Sequence, residues 1–166
     1  HHGFKSLLAK LSAVADAPVA AARTLDQEED PPCKHDEYET VIDIAALDRW
    51  IADARHQGWV AVDTETTGLD ATQAGLVGVS LALRPNLACY IPVAHGGTDM
   101  FAEKPDQLDQ ATVIARLKPL LEDPAVLKIG HNLKYDMIIL GRLGIDIAPH
   151  DDTILMSFDL DAGLHG

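Results

Sequence analysis

The sequence predicts an α/β fold: a mixed sheet in which an antiparallel meander is followed by parallel β-α units, with helices packed on its faces. Two observations carry this reading. Three strand-like runs follow one another, WVAVD at 59–63, LVGVSLAL at 76–83 and LACYIPV at 87–93, and the last two are separated only by the turn residues Arg84, Pro85 and Asn86. The periodicity then switches: a helical run at 107–121, a compact strand AVLKIG at 125–130, and two further helical runs, NLKYDMIILGRLG at 132–144 and HDDTILMSFDL at 150–160.

The elements follow in order. FKSLLAKL at 4–11 sets Phe4, Leu7, Leu8 and Leu11 on one face of a short amphipathic helix, and His1 and His2 before it read as the remnant of a purification tag. Residues 12–37 are Ala-rich, then acidic, without sustained period and broken by Pro31 and Pro32, which predicts an interdomain linker. YETVID at 38–43 alternates as a short strand. Leu47, Trp50, Ile51 and Ala54 then recur with helical spacing until Gly58 ends the helix. In the run at 107–121, Leu108, Val113, Ile114, Leu117 and Leu120 form the apolar stripe and Pro124 lies just past its end; Gly144 closes the next helix, and Asp151 or Asp152 can cap the last. The expected order is β-α-β-β-β-α-β-α-(β)-α, which is the order of the ribonuclease-H-like architecture.

Composition bounds the function. The chain has 166 residues, room for one domain and a tail, and its 47% hydrophobic content is that of a protein that folds. A net charge of −13 argues against a protein that coats nucleic acid with a broad basic face. It is compatible with metal-dependent phosphate chemistry, which needs clustered carboxylates whose bound cations reverse the local field. Cys33 and Cys89 have no CxxC spacing, so neither a zinc site nor a disulfide framework is expected and a reducing cytoplasm fits. No apolar run approaches a membrane span, and no membrane partner is expected. Without GxGxxG, P-loop or GxSxG, the cofactor-binding and serine-hydrolase classes lack their residues.

Two constellations remain. Asp63 and Glu65 stand two apart at the end of a predicted strand, so the strand's period of two puts both carboxylates on one face, where they can share a cation. A D-x-E pair alone is also what a solvated strand end looks like. Here it opens DTETTGLD at 63–70, where Thr hydroxyls flank the acids and Gly68 permits a tight turn. HNLKYD at 131–136 follows the strand AVLKIG and sets Asn132 and Asp136 on one helical face. Asn132 suits a helix N-cap as well as a substrate contact, and Tyr135 suits the core as well as stacking against an unpaired base. Asp151 and Asp152 are assigned to capping. His95, in a Gly-flanked loop with no second His at ligand spacing, is read as a surface residue without a role.

DTETTGLD followed about seventy residues later by NLKYD resembles the first and second motifs of the DEDD 3′-5′ exonuclease superfamily. YIPVAHGG, LKPLLEDPAVLKIGHNLKYD and DTILMSFDLDAGLHG look like the proofreading domain of bacterial DNA polymerase I, and the similarity spans residues 38–166. The resemblance implies two divalent cations, Mg2+ or Mn2+, with Asp63 bridging both, Glu65 on the nucleophile-side ion and Asp136 supporting the other through water. It assigns Thr66, Leu69, Asn132 and Tyr135 to substrate contact. The implied reaction releases 5′ mononucleotides from a single-stranded or frayed 3′ end of DNA during replication and repair. The implied setting is a nucleoid-associated bacterial protein with a 5′ nuclease domain N-terminal and a polymerase domain C-terminal. The family carries a third motif, Y-x-x-x-D, that the sequence does not reach by Gly166, so residues 38–166 are expected to be the N-terminal part of the exonuclease domain and the chain alone to bind metal weakly. A non-catalytic DNA-positioning module and a free-standing RNA exonuclease of the same superfamily are the alternatives.

Overall fold

The computed structural model describes residues 38–96 and 105–160. The helix at 4–11, the linker at 12–37 and Cys33 lie outside the described residues.

Among these residues the chain forms a six-stranded mixed sheet in the order β1-β4-β3-β2-β5-β6. Strand β1 (Glu39–Thr40) leads into α1 (Ile44–Gln57), followed by the meander β2 (Trp59–Thr66), β3 (Leu76–Arg84) and β4 (Leu87–Pro92), then α2 (Gln110–Leu121), β5 (Leu127–Gly130), α3 (Lys134–Arg142), β6 (His150–Asp152) and α4 (Thr153–Leu160). The meander is antiparallel, while β2–β5, β5–β6 and β1–β4 pair in parallel, as the alternation of elements requires.

Local chemistry sets the boundaries. YETVID is a strand only at Glu39–Thr40, and Asp43, still extended, caps α1, its carboxylate accepting the Ala46 N–H at 2.8 Å. Gly58 ends α1 in the left-handed region at φ 83°, where its N–H reaches the Ala54 carbonyl. The helical run expected from 107 starts at Gln110, since Asp109 captures the Thr112 N–H at 2.9 Å. HDD, expected within the last helix, is instead an edge strand: pairing of Lys128, Ile129 and Gly130 with His150, Asp151 and Asp152 overrides its weak β-propensity. None of these helices is long and apolar enough to cross a membrane.

The core fills one face of the sheet. Val60 and Val62 from β2 and Val79, Leu81 and Leu83 from β3 join Leu47, Trp50, Ile51 and Ala54 of α1 and Val113, Leu117, Leu120 and Leu121 of α2 in one buried cluster. Cys89 belongs to it, its free thiol pushed up to about 12 by burial and therefore inert at neutral pH. Lys128 is also fully buried, with Nζ donating to the carbonyls of Asp123 (2.9 Å), Val126 (2.7 Å) and Ala148 (2.7 Å). Burial presses its pKa down, yet three acceptors match the three N–H bonds of an ammonium. The side chain thus ties the turn before β5 to the segment before β6.

Among the described residues the other face has no such cover. Ala61, Asp63, Ser80, Ala82, Ala88 and Ile129 line an open hollow of about 470 Å³ on it. On α4 no residue is buried, and Leu155, Met156, Phe158 and Leu160 are exposed.

Candidate functional site

The end of β2 is where the two sequence constellations meet. β5 pairs with β2 only as far as Ala61, so the backbone beyond Ala61 has a free edge on that side. Asp136, in the first turn of α3, fills it: its Oδ1 accepts the Thr64 N–H at 2.8 Å and the Thr64 hydroxyl at 2.6 Å. Across 72 positions of sequence this contact locks the second motif to the first, and it satisfies an edge amide that would otherwise be orphaned in the interior. Asp136 is only 3% exposed. Burial raises its pKa, the Thr64 bonds pull it back, and the nearby charge of Asp63 raises it again.

Asp63 and Glu65 are exposed, on the sheet face away from the core as the period of two requires, opposite Ser80 and Gly78 of β3. Among the described residues neither has an ion-pair partner. No three carboxylate, His or Cys groups among the described residues converge into a preformed cage. The donor set nonetheless fits divalent cations: two carboxylates without ion pairs among the described residues and a buried third, all oxygen ligands, raise a negative field.

The four residues assigned to substrate contact come together. Thr66, Leu69, Asn132 and Tyr135, with Glu65, Thr67 and Gly68, line a cleft of about 450 Å³ beside Glu65. Tyr135 takes the core position: its ring packs against the core cluster while its hydroxyl bonds Thr66 Oγ1 at 2.5 Å and donates to the Gly68 carbonyl. The turn after β2 is therefore fixed from α3. Leu69 stands at its tip, 99% exposed, an apolar side chain presented to solvent at the mouth of the cleft.

Asn132 is not the N-cap of α3. Leu133 occupies that position with no side-chain capping bond, and Asn132 sits in the left-handed region at φ 58°, one of the few side chains that tolerates it. Its helix is capped from a distance: Asp152 accepts the Asn132 N–H (2.9 Å) and the Leu133 N–H (2.8 Å), and also the N–H of Ile154 (3.0 Å) in its own helix. Burial pushes the Asp152 pKa up, but the three amides outweigh it and hold the carboxyl below its usual range. The assignment of Asp152 to capping stands in enlarged form, since it serves two helices and frees the Asn132 side chain for the cleft.

Sequence reasoning missed two groups. Thr64, hidden between the acids, is the anchor of Asp136. His95 is half-buried rather than a surface residue: Tyr90 Oη lies 2.5 Å from its Nε2, and its backbone is held on both sides by Gln107, at 2.8 Å to the N–H and 3.0 Å to the carbonyl. The signal available was YIPVAH itself, an aromatic five residues before a His on the strand next to β3.

Comparison with known proteins places this geometry. The chain is 48% identical over 145 residues to DNA polymerase I of Rhizobium leguminosarum, covering 80% of this chain and 14% of that protein's length. Escherichia coli RNase D, an exoribonuclease involved in structured RNA processing, shares the fold at 23% identity and a TM-score of 0.52, over 73% of this chain and 28% of that one. Brucella melitensis NrnC with bound Mg2+ does so at 22% identity and a TM-score of 0.53, over 78% of this chain and 54% of that one. The family model of the 3′-5′ exonuclease matches residues 38–165, and with the acids of both motifs brought to one strand end, the chain belongs to that 3′-5′ exonuclease family.

Proposed function

We propose that this domain edits DNA: it hydrolyses the 3′-terminal phosphodiester of a single-stranded or frayed end and releases 5′ mononucleotides, as the proofreading module of a bacterial cytoplasmic DNA polymerase I, associated with the nucleoid. The single observation that carries this reading is the joining of the two acidic motifs through Asp136 and Thr64 beside a cleft built from both.

Asp63, Glu65 and Asp136 would hold two divalent cations, Mg2+ or Mn2+, Asp63 shared between them, Glu65 on the side of the attacking water and Asp136 on the other. Bound there, the cations supply Lewis-acid charge at the phosphate and acidify a water. The protein's share is positioning. Thr64 holds Asp136 in one rotamer so that Oδ2 stays outside that contact. The turn pinned by Tyr135 sets Thr66 and Leu69 at the mouth of the cleft, where Leu69 can wedge against the terminal base and Asn132 and Thr66 can bond the terminal nucleotide. A 5′ nuclease domain before this segment and a polymerase domain after it complete the proposed parent protein, in keeping with a chain that spans 14% of its relative's length.

In the full-length protein, Asp63→Ala is expected to lower excision of a 3′-labelled single strand by about 10³-fold or more while leaving nucleotide incorporation intact. Unchanged excision would sink the assignment. Excision of RNA in preference to DNA by the unsubstituted protein would favour the RNA-trimming reading, which the shared fold of RNase D permits. This chain alone is expected to bind cations weakly and to turn over little, its acids forming no preformed cluster of three among the described residues.

A further inference from the structure

Tyr90 and His95 lie outside every role given so far, yet they sit on the sheet face that carries the acids. Register pairing sets Asp63 opposite Ser80 and Ser80 opposite Tyr90, and one step along sets Glu65 opposite Gly78. Paired residues share a face, so Asp63, Glu65, Gly78 and Tyr90 all project from the open side. Tyr90 leans over Gly78: a Cβ built there would stand 2.0 Å from the phenol oxygen, so the glycine is empty because the tyrosine fills its place. The hydroxyl is thereby carried to the strand position next to Glu65, whose charge, after burial, is the second influence raising the Tyr90 pKa.

The phenol is held there. His95 meets it edge-on, ring centroids 5.6 Å apart at 72°, with the 2.5 Å contact between Oη and Nε2. Gln107 in turn clamps the His95 backbone by two hydrogen bonds, an arrangement that a casual surface histidine would not need. Resting on the exonuclease reading above, we infer that Tyr90 and His95 are a positioning pair for Glu65: the wedged phenol blocks the rotamers that would lay Glu65 over β3, and His95 fixes the phenol oxygen so that its O–H is directed to the Glu65 carboxylate. The pair acts through Glu65 on the cation that Glu65 holds, as outer partners of a metal-ligating carboxylate do. It touches neither substrate nor the reacting atoms.

The test uses the full-length protein with three substitutions, Tyr90→Phe, His95→Ala and His95→Gln, each measured for Mn2+ binding in the absence of DNA by calorimetry, for kcat and KM of excision, and for melting temperature. Tyr90→Phe keeps the wedge and removes the hydroxyl; the expected result is roughly tenfold weaker Mn2+ binding and a similar fall in kcat, with KM for the strand unchanged. His95→Ala should match it, the double substitution should add little to either alone, and His95→Gln, which can still donate to the phenol oxygen, should restore most of the binding. Wild-type Mn2+ affinity and kcat in Tyr90→Phe and His95→Ala overturn the inference, and so does a loss that appears only as a lowered melting temperature. Asp63→Ala, run alongside, separates the failures: if it abolishes excision while the Tyr90 and His95 variants behave as wild type, only the positioning role falls.

Discussion

Among the described residues the buried polar side chains are matched, while on the open face the charges of Asp63 and Glu65 have no ion-pair partner. Beneath α1 and α2, even a buried lysine is held by three carbonyls, and no buried side-chain polar atom among the described residues lacks a partner. At the end of β2, Asp63 and Glu65 have no ion-pair partner among the described residues, and Asp136 is buried against the field of Asp63. One face of the sheet is built for packing and the other is left open to ligands. The packed face supplies a firmly seated strand end, and the open face carries two carboxylates that no ion pair among the described residues neutralises.

The largest effect on this contrast is expected from breaking the packed face. Leu117→Ala empties a fully buried position between α2 and the sheet, and a loss of about 2–5 kcal/mol is expected in urea unfolding. Lys128→Met keeps the volume but leaves the Asp123, Val126 and Ala148 carbonyls without their donor; about 1–3 kcal/mol should be lost, and a neutral outcome would mean that water reaches those carbonyls. The smallest effect has the opposite sign. Asp136→Asn keeps an oxygen for Thr64 and removes a buried charge, so in the absence of divalent cation the variant should be more stable, by roughly 0.5–1 kcal/mol, while excision is lost. A destabilised Asp136→Asn would show that the carboxylate contributes to the fold in its own right.

Much of the site was legible because the acids obey short-range geometry. The period of two put Asp63 and Glu65 on one face, and HNLKYD directly after a strand put Asp136 at the start of a helix. What the sequence could not display were the pairings across the chain. Thr64 became the anchor of Asp136 only because β5 stops pairing at Ala61 and exposes the β2 edge. The amides of Asn132 and Leu133 were taken by Asp152 from some twenty positions away, which local capping rules do not foresee. Lys128 inverts the usual reading of a strand, since the lysine faces the core and Ile129 the open side. Tyr90 and His95 were overlooked for a similar reason: nothing local says that Gly78 is vacant to admit a phenol.

Whether the strand end is a cation site built from both motifs is decided by titrating the purified chain with Mn2+ and comparing Asp63→Asn. Weak binding by the unsubstituted chain and its loss in the variant are expected, together with an unchanged far-UV circular dichroism spectrum. Equal Mn2+ affinity in the two proteins would rule out a cation site at Asp63.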